Sequence, residues 1–317
     1  MGTRHAATLG EREIDFKAFT VEAEPAASRI PVTLQLHGLV VIFAATTILG
    51  RLISLSAPVL VCWRCLIASI FAFLWVRLTT TKRGSLLDGT TVWNLIWVGG
   101  LIGLHWLCLF GAVKVANVSI ALAGLATVSV FTALAEPLIE RRRIQQHEVW
   151  LGVLVMGGIV LIAGSESGSM LGLWLALVSA MLAALFTVFN KQIVLKGIDP
   201  MKMVGWQMGS AMFVCLAAVP IFDDVASLAF SNPMDWLWVL ILALICTVFA
   251  QDWTNKLLRH VSAYRLTLVA NFEPVYGILA AALIFQEYEE LKITFYLGAM
   301  AIVLANFLHP LLQKRMS

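Results

Sequence analysis

Ten apolar runs, each near the length of a membrane-crossing helix, take up almost the whole chain. A spanning helix needs about twenty apolar residues at 1.5 Å each. The runs cover 34–54, 58–77, 92–112, 117–138, 149–164, 170–192, 201–220, 235–257, 262–285 and 292–312. Charged or turn-forming stretches part them, such as Thr79–Gly84, Arg141–Arg143, Gly197–Pro200 and Phe222–Asp224. Composition agrees: 60% of the 317 residues are hydrophobic and 13% are charged, where a soluble domain carries about a quarter charged. The chain reads as an all-α integral membrane protein with no room for a soluble catalytic domain. Residues 1–33 are expected to form a cytoplasmic tail. They mix Arg4, Glu11, Arg12, Glu13, Asp15 and Lys17, without the basic start and immediate apolar segment of a cleavable signal.

Loop charge orients the spans. With the N-terminus inside, the inner segments carry Arg77, Lys82, Arg83, Arg141, Arg142, Arg143, Lys191, Lys196, Lys202, Lys256, Arg259, Lys314 and Arg315. The outer loops carry Arg51, Lys114 and Lys292, beside Asp223, Asp224, Asp235, Glu287, Glu289 and Glu290. Both termini are therefore expected in the cytoplasm, and the membrane is expected to be the inner or plasma membrane. The halves also repeat at an offset near 143. Ala57–Pro58 matches Asp199–Pro200, Trp63–Arg64 matches Trp206–Gln207, and Val118–Ser119 matches Val261–Ser262. Five spans per half is odd, so the halves, 34–164 and 170–312, insert with opposite orientation. Inverted five-helix repeats are an architecture of secondary transporters, with the substrate near the midplane.

Two inverted five-helix halves resemble the drug/metabolite transporter superfamily, in particular its EamA-type carriers. The resemblance rests on Glu273–Pro274–Val275, Gln286–Glu287 and Leu297–Gly298 in the second half, and on Glu140 and Leu151–Gly152 in the first. Span four has Ser129–Val130–Phe131 where the second half has its mid-span proline. The resemblance implies export of metabolites or amino acids by alternating access.

Polar groups inside a bilayer are costly and mark function. Glu273 lies roughly 16 Å into span nine at 1.5 Å per residue, near the midplane. Tyr276 is one turn on, and Pro274 is expected to kink the helix there. Arg64 and His105 lie roughly 9–10 Å from the outer face by the same count. With Trp106 they can share a vestibule, Arg64 holding a carboxylate or else bracing helix ends. Trp206 and Gln207 mirror Trp63 and Arg64. Gln251 and Asn255 share a face of span eight, as Ser129, Thr132 and Glu136 do in span four; packing glue is the competing reading of each. Asp252 and Arg265 have similar depth near the inner ends of spans eight and nine and are expected to pair as a gate, with Lys256 a turn from Asp252. Asn190 and Lys191 read as a cytoplasmic boundary. Cys62, Cys65, Cys108, Cys215 and Cys246 all lie in apolar runs and read as inert thiols.

Substrate binding is thus assigned to Glu273, Tyr276, Arg64, His105, Trp106, Trp206, Gln207, Gln251 and Ser129, and gating or coupling to Asp252, Arg265 and Glu273. The function expected is export of a small metabolite, with import or exchange on the same fold as the alternative. An intramembrane enzyme is disfavoured: no D-x-x-x-D, H-E-x-x-H or G-x-S-x-G motif occurs, and no phosphate-binding G-x-x-x-x-G-K-[ST]. No cofactor or metal is expected. The partners are a small-molecule substrate, the lipid bilayer and, left open, a second copy as a homodimer; no basic run suits nucleic acid. Cysteine-accessibility labelling checks the orientation. Positions 82, 142 and 196 should label from the cytoplasm, and 224 and 289 from outside. A cytoplasmic Asp223–Asp224 loop would overturn both the orientation and the inversion.

Overall fold

A computed structural model describes residues 30–79, 87–141, 143, 150, 151, 154, 157, 158, 161, 170–229, 232–286 and 292–316. The chain divides at Pro31 into Met1–Pro31 and a helical body from Val32 onward. The expected tail, the Lys82–Arg83 loop, Arg142, most of span five and Glu287–Glu290 lie outside the described residues.

Within the body the order is α1 (Val32–Leu52), α2 (Ala57–Thr79), α3 (Gly89–Val115), α4 (Val118–Leu125), α5 (Val128–Glu140), α6 (Met170–Leu195), α7 (Pro200–Phe222), α8 (Pro233–Ala243), α9 (Ala250–Leu257), α10 (Ala263–Ala270), α11 (Glu273–Phe285) and α12 (Ile293–Met316). A π-helical turn, Leu244–Phe249, joins α8 to α9, making one span. Helices α4 and α5 are the two halves of span four, and α10 and α11 those of span nine. Among the described residues eight spans are long and apolar enough to cross a membrane, and α12 contains a shorter apolar stretch, Tyr296–Ala305. Lipid cannot satisfy backbone N–H and C=O groups, so a helix, which satisfies its own, is the form such runs take. Trp93, Trp97 and Trp150 are exposed near span ends, as interfacial aromatics are.

The two halves repeat in three dimensions, with one correction to the expected register. Helices α2 and α7 are both 23 residues long and start 143 apart, at Ala57 and Pro200. Spans four and nine repeat at 145 instead. Their N-caps are Asn117 and Ser262, whose side chains accept from the Ile120 and Arg265 amides. Asn117, not Ser119, is therefore the counterpart of Ser262. Both spans end on a left-handed residue, Arg141 (φ 56°) and Gln286 (φ 57°). Both break at equivalent places, Ala126–Thr127 and Asn271–Phe272.

Span four thus breaks without a mid-span proline. Thr127 stops it, its hydroxyl donating to the Gly124 carbonyl at 2.8 Å. In span nine the break precedes Pro274, which sits in the first turn of α11 instead of kinking a continuous helix. There its missing N–H leaves nothing unpaired.

Helices α3 and α7 cross closely. A Cβ on Gly99 would come 2.5 Å from the Gln207 carbonyl oxygen, and one on Gly103 would lie 3.0 Å from Ala211 Cα. This is the close approach that small residues four apart allow in a membrane. Gly100, beside Gly99, has open space. Gly99→Ala should therefore lower the thermal midpoint in detergent, with a cost of about 1–3 kcal/mol for overpacking. Gly100→Ala should leave it unchanged or slightly raised.

Candidate functional site

Both repeats wall one cavity, about 710 Å³ of space between atoms with its mouth included. Residues at symmetry-related positions line it together: Phe43 and Phe186, Leu125 and Ala270, and Val128 and Glu273. The last two pairs flank the breaks of spans four and nine. The breaks bring the start of a helix, rather than its regular flank, to the cavity.

Arg64 enters from α2. It is buried, and its guanidinium carbon sits 3.8 Å from the Trp106 ring centroid and 5.5 Å from that of Phe110. A cation over an aromatic face is stabilised by the ring quadrupole. The π-turn supplies the remaining contacts. Arg64 Nε donates to Thr247 Oγ1 at 2.5 Å and Nη2 to the Cys246 carbonyl at 3.2 Å. Thr247 Oγ1 itself donates to the Leu242 carbonyl five residues back. Arg64 Nη1 has no hydrogen-bond partner among the described residues, and neither has Gln251 Oε1; both residues line the cavity.

Glu273 starts α11 and is buried, with Oε1 accepting from Thr47 Oγ1 at 3.3 Å. Arg64 and Glu273 line the same cavity, yet no ion pair joins them. His105 completes the polar wall. Its Nδ1 lies 2.9 Å from the Ser179 carbonyl oxygen and 2.8 Å from Ser179 Oγ. A carbonyl only accepts, so Nδ1 carries a proton, which leaves Nε2 as an acceptor in the neutral ring. Ser179 Oγ donates back to the His105 carbonyl, and the Phe186 ring packs edge-on at 5.3 Å. The cavity can therefore offer a cationic donor, a carboxyl and a fixed imidazole to a small solute within an apolar wall.

Of the residues singled out from the sequence, Arg64, His105, Trp106, Gln251 and Glu273 meet here. The others do not. Tyr276 is 37% exposed: three residues on falls about 60° short of a full turn, so its side chain leaves the face of Glu273. Trp206 packs edge-on against Phe73 at 5.6 Å. Gln207 is buried outside the cavity wall, its Nε2 donating to Asn190 Oδ1 at 2.6 Å. Ser129 is buried off the wall, where Val128 takes the lining position. The expected Asp252–Arg265 pair is not made. Asp252 binds Lys256, one turn along its own helix, while Arg265 is exposed. Equal depth placed the two side by side along the membrane normal but said nothing of which way each faced.

Thr47, Ser179, Cys246 and Thr247 were not found from the sequence. The adjacent Thr46–Thr47 in an otherwise apolar run was the one available signal.

Residues 33–164 and 170–309 each match the model of the EamA-like transporter family. No curated protein matches the sequence. A solved crystal structure of a protein 15% identical to this chain is similar in fold, with a TM-score of 0.61 over 90% of this chain and 97% of its own length.

The pairing of Asp252 is open to test. A double-mutant cycle of Asp252→Asn with Lys256→Gln should give a coupling of at least about 0.5 kcal/mol, above that of a fully exposed pair one turn apart, because Asp252 is buried while Lys256 is exposed. Asp252→Asn with Arg265→Gln should be additive. Coupling above about 1 kcal/mol between Asp252 and Arg265 would restore the gate pair expected from depth.

Proposed function

Since the chain belongs to the EamA-like transporter family, whose members carry small solutes across membranes, we propose that it exports small metabolites by alternating access. Amino acids or related solutes are the cargo this reading favours, and both termini lie in the cytoplasm. The observation that carries it is that a guanidinium and a carboxyl, Arg64 and Glu273, line one cavity without being paired to each other. A buried charge without a counter-ion is expensive. A solute bearing both a carboxylate and an ammonium offsets both costs at once. Arg64 Nη1 has a donor to spare for the carboxylate, and charge-assisted bonds of this kind are the strong ones. Glu273 takes the ammonium when ionised and can carry a proton when neutral. It starts a half-helix at a break in a span, and in secondary carriers broken helices line the substrate and coupling-ion sites. Loop charge supports the orientation: Lys196, Lys202 and Arg259 cluster at the ends taken as inner.

The test is concentrative uptake into proteoliposomes, with and without an imposed pH gradient. Glu273→Gln should insert and fold but lose at least about tenfold of concentrative flux, the loss of one charge-assisted contact. Glu273→Asp should keep part of it. Tyr276→Phe should transport like the parent, since Tyr276 points away from the cavity. Parental flux and pH dependence in Glu273→Gln would remove the carboxyl from the mechanism.

A further inference from the structure

A carboxylate outside the cavity ties the two repeats together at one end of the molecule. Glu136, in the last turns of α5, is 1% exposed. Lys191 Nζ, near the end of α6, donates to Glu136 Oε1 at 2.9 Å and to Glu140 Oε1 at 3.2 Å. The backbone amides of Ala263 and Tyr264, the first two residues of α10, donate to Glu136 Oε1 and Oε2, each at 3.2 Å. One side chain of the first repeat thus holds two helices of the second. Negative charge at a helix start is favourable, and the bonds are charge-assisted. At the same end Arg259 Nη2, just before α10, donates to the Ile198 carbonyl between α6 and α7 at 3.0 Å.

The repeat gives this arrangement a direction. At the offsets of 145 and 143 the positions of Glu136 and Lys191 are occupied by Ala281 and Ile48. The same carboxylate–ammonium pair cannot form at the opposite end. Rocking one repeat against the other, as alternating access requires, must separate α5 from α6 and α10 when this end opens. It need not do so when the other end opens.

We infer that Glu136 is the positioning residue of the inner gate: by gripping Lys191 and the start of α10 together, it holds the cytoplasmic end of the cavity shut until a solute is loaded. This rests on the carrier reading above, and it moves the gate from Asp252 and Arg265 to a cluster that binds across the repeats.

The test follows one thiol. Cys246 lines the cavity. With the other four cysteines replaced by alanine, its rate of modification by a charged methanethiosulfonate is measured from each side in vesicles of known orientation. Glu136→Gln should speed labelling from the side of the Lys196–Pro200 loop by about tenfold, as loss of one charge-assisted contact gives, and slow it from the other side. Glu136→Asp should restore part of the parental bias. A merely loosened fold would label faster from both sides, which would overturn the proposal, as would unchanged rates. Should Glu136→Gln fail to fold, Lys191→Gln decides. It leaves the carboxylate on the α10 amides and should shift labelling in the same directions by a smaller factor, and no shift overturns the gate. Solute flux separates the two readings. One-sided labelling shifts in a protein that moves no solute would refute the carrier, and with it the release by solute, and leave only the closure of that end by Glu136. Intact flux without a shift would refute the gate alone.

Discussion

A helix that breaks inside a bilayer leaves amides and carbonyls that lipid cannot satisfy. Spans four and nine both break, at Ala126–Thr127 and Asn271–Phe272, and much of the molecule is arranged around those breaks. Each must be buried in protein. Gly277 in α11 lies where any Cβ would strike Leu122 in α4, and Gly124 where a Cβ would strike Ala176 in α6. The glycines let the broken spans lie against each other and against span six. The same burial turns Val128 and Glu273 toward the cavity. Fold and site are thus one consequence of having two interrupted helices in symmetric positions.

The second constraint is the cost of a guanidinium away from water. Arg64 is tolerated because three kinds of contact act on it: an aromatic face, a hydroxyl and a backbone carbonyl. The π-turn at Leu244–Phe249 supplies the last two. Such turns are rare and frequently found at functional sites, and this one, in span eight, has no counterpart in α3, which is α-helical throughout. A carboxylate partner within the protein would satisfy Arg64 more fully. With Glu273 not paired to it, Arg64 leaves Nη1 without a hydrogen-bond partner among the described residues, and under the carrier proposed above both groups are available to a solute. The Glu136 cluster solves a different problem, since its charges are satisfied within the protein and serve to hold helices together.

The helical spans and their repetition in two halves were legible because lipid imposes a length and an apolar composition that few other folds share. Arg64, His105, Trp106, Gln251 and Glu273 were legible for the complementary reason: a charged or polar group in an apolar run stands out. Thr47 and Thr247 were not, because a hydroxyl in a membrane helix can bond to a carbonyl of its own preceding turns, as Thr247 does to Leu242, and so leaves no mark in hydropathy. The π-turn has no residue signature. Tyr276 and Arg265 were misplaced by arguments from spacing and depth, which fix distance along a helix but not direction around it. Glu136 and Lys191 were visible as polar residues near span ends, but that one carboxylate reaches α6 and α10 together depends on long-range packing.

The most direct measurement is competition for transport, in proteoliposomes, by a transported amino acid and two blocked forms of it. One form carries its carboxylate as a methyl ester, the other its amine as an acetamide. If Arg64 and Glu273 each hold one end of the solute, the parent compound should compete fully and both blocked forms should lose at least about tenfold, one charge-assisted contact each. Arg64→Met should erase the discrimination against the ester, and Glu273→Gln that against the acetamide. Equal competition by all three compounds would mean that the cavity reads neither charge, and that Arg64 and Glu273 are there only to hold helices.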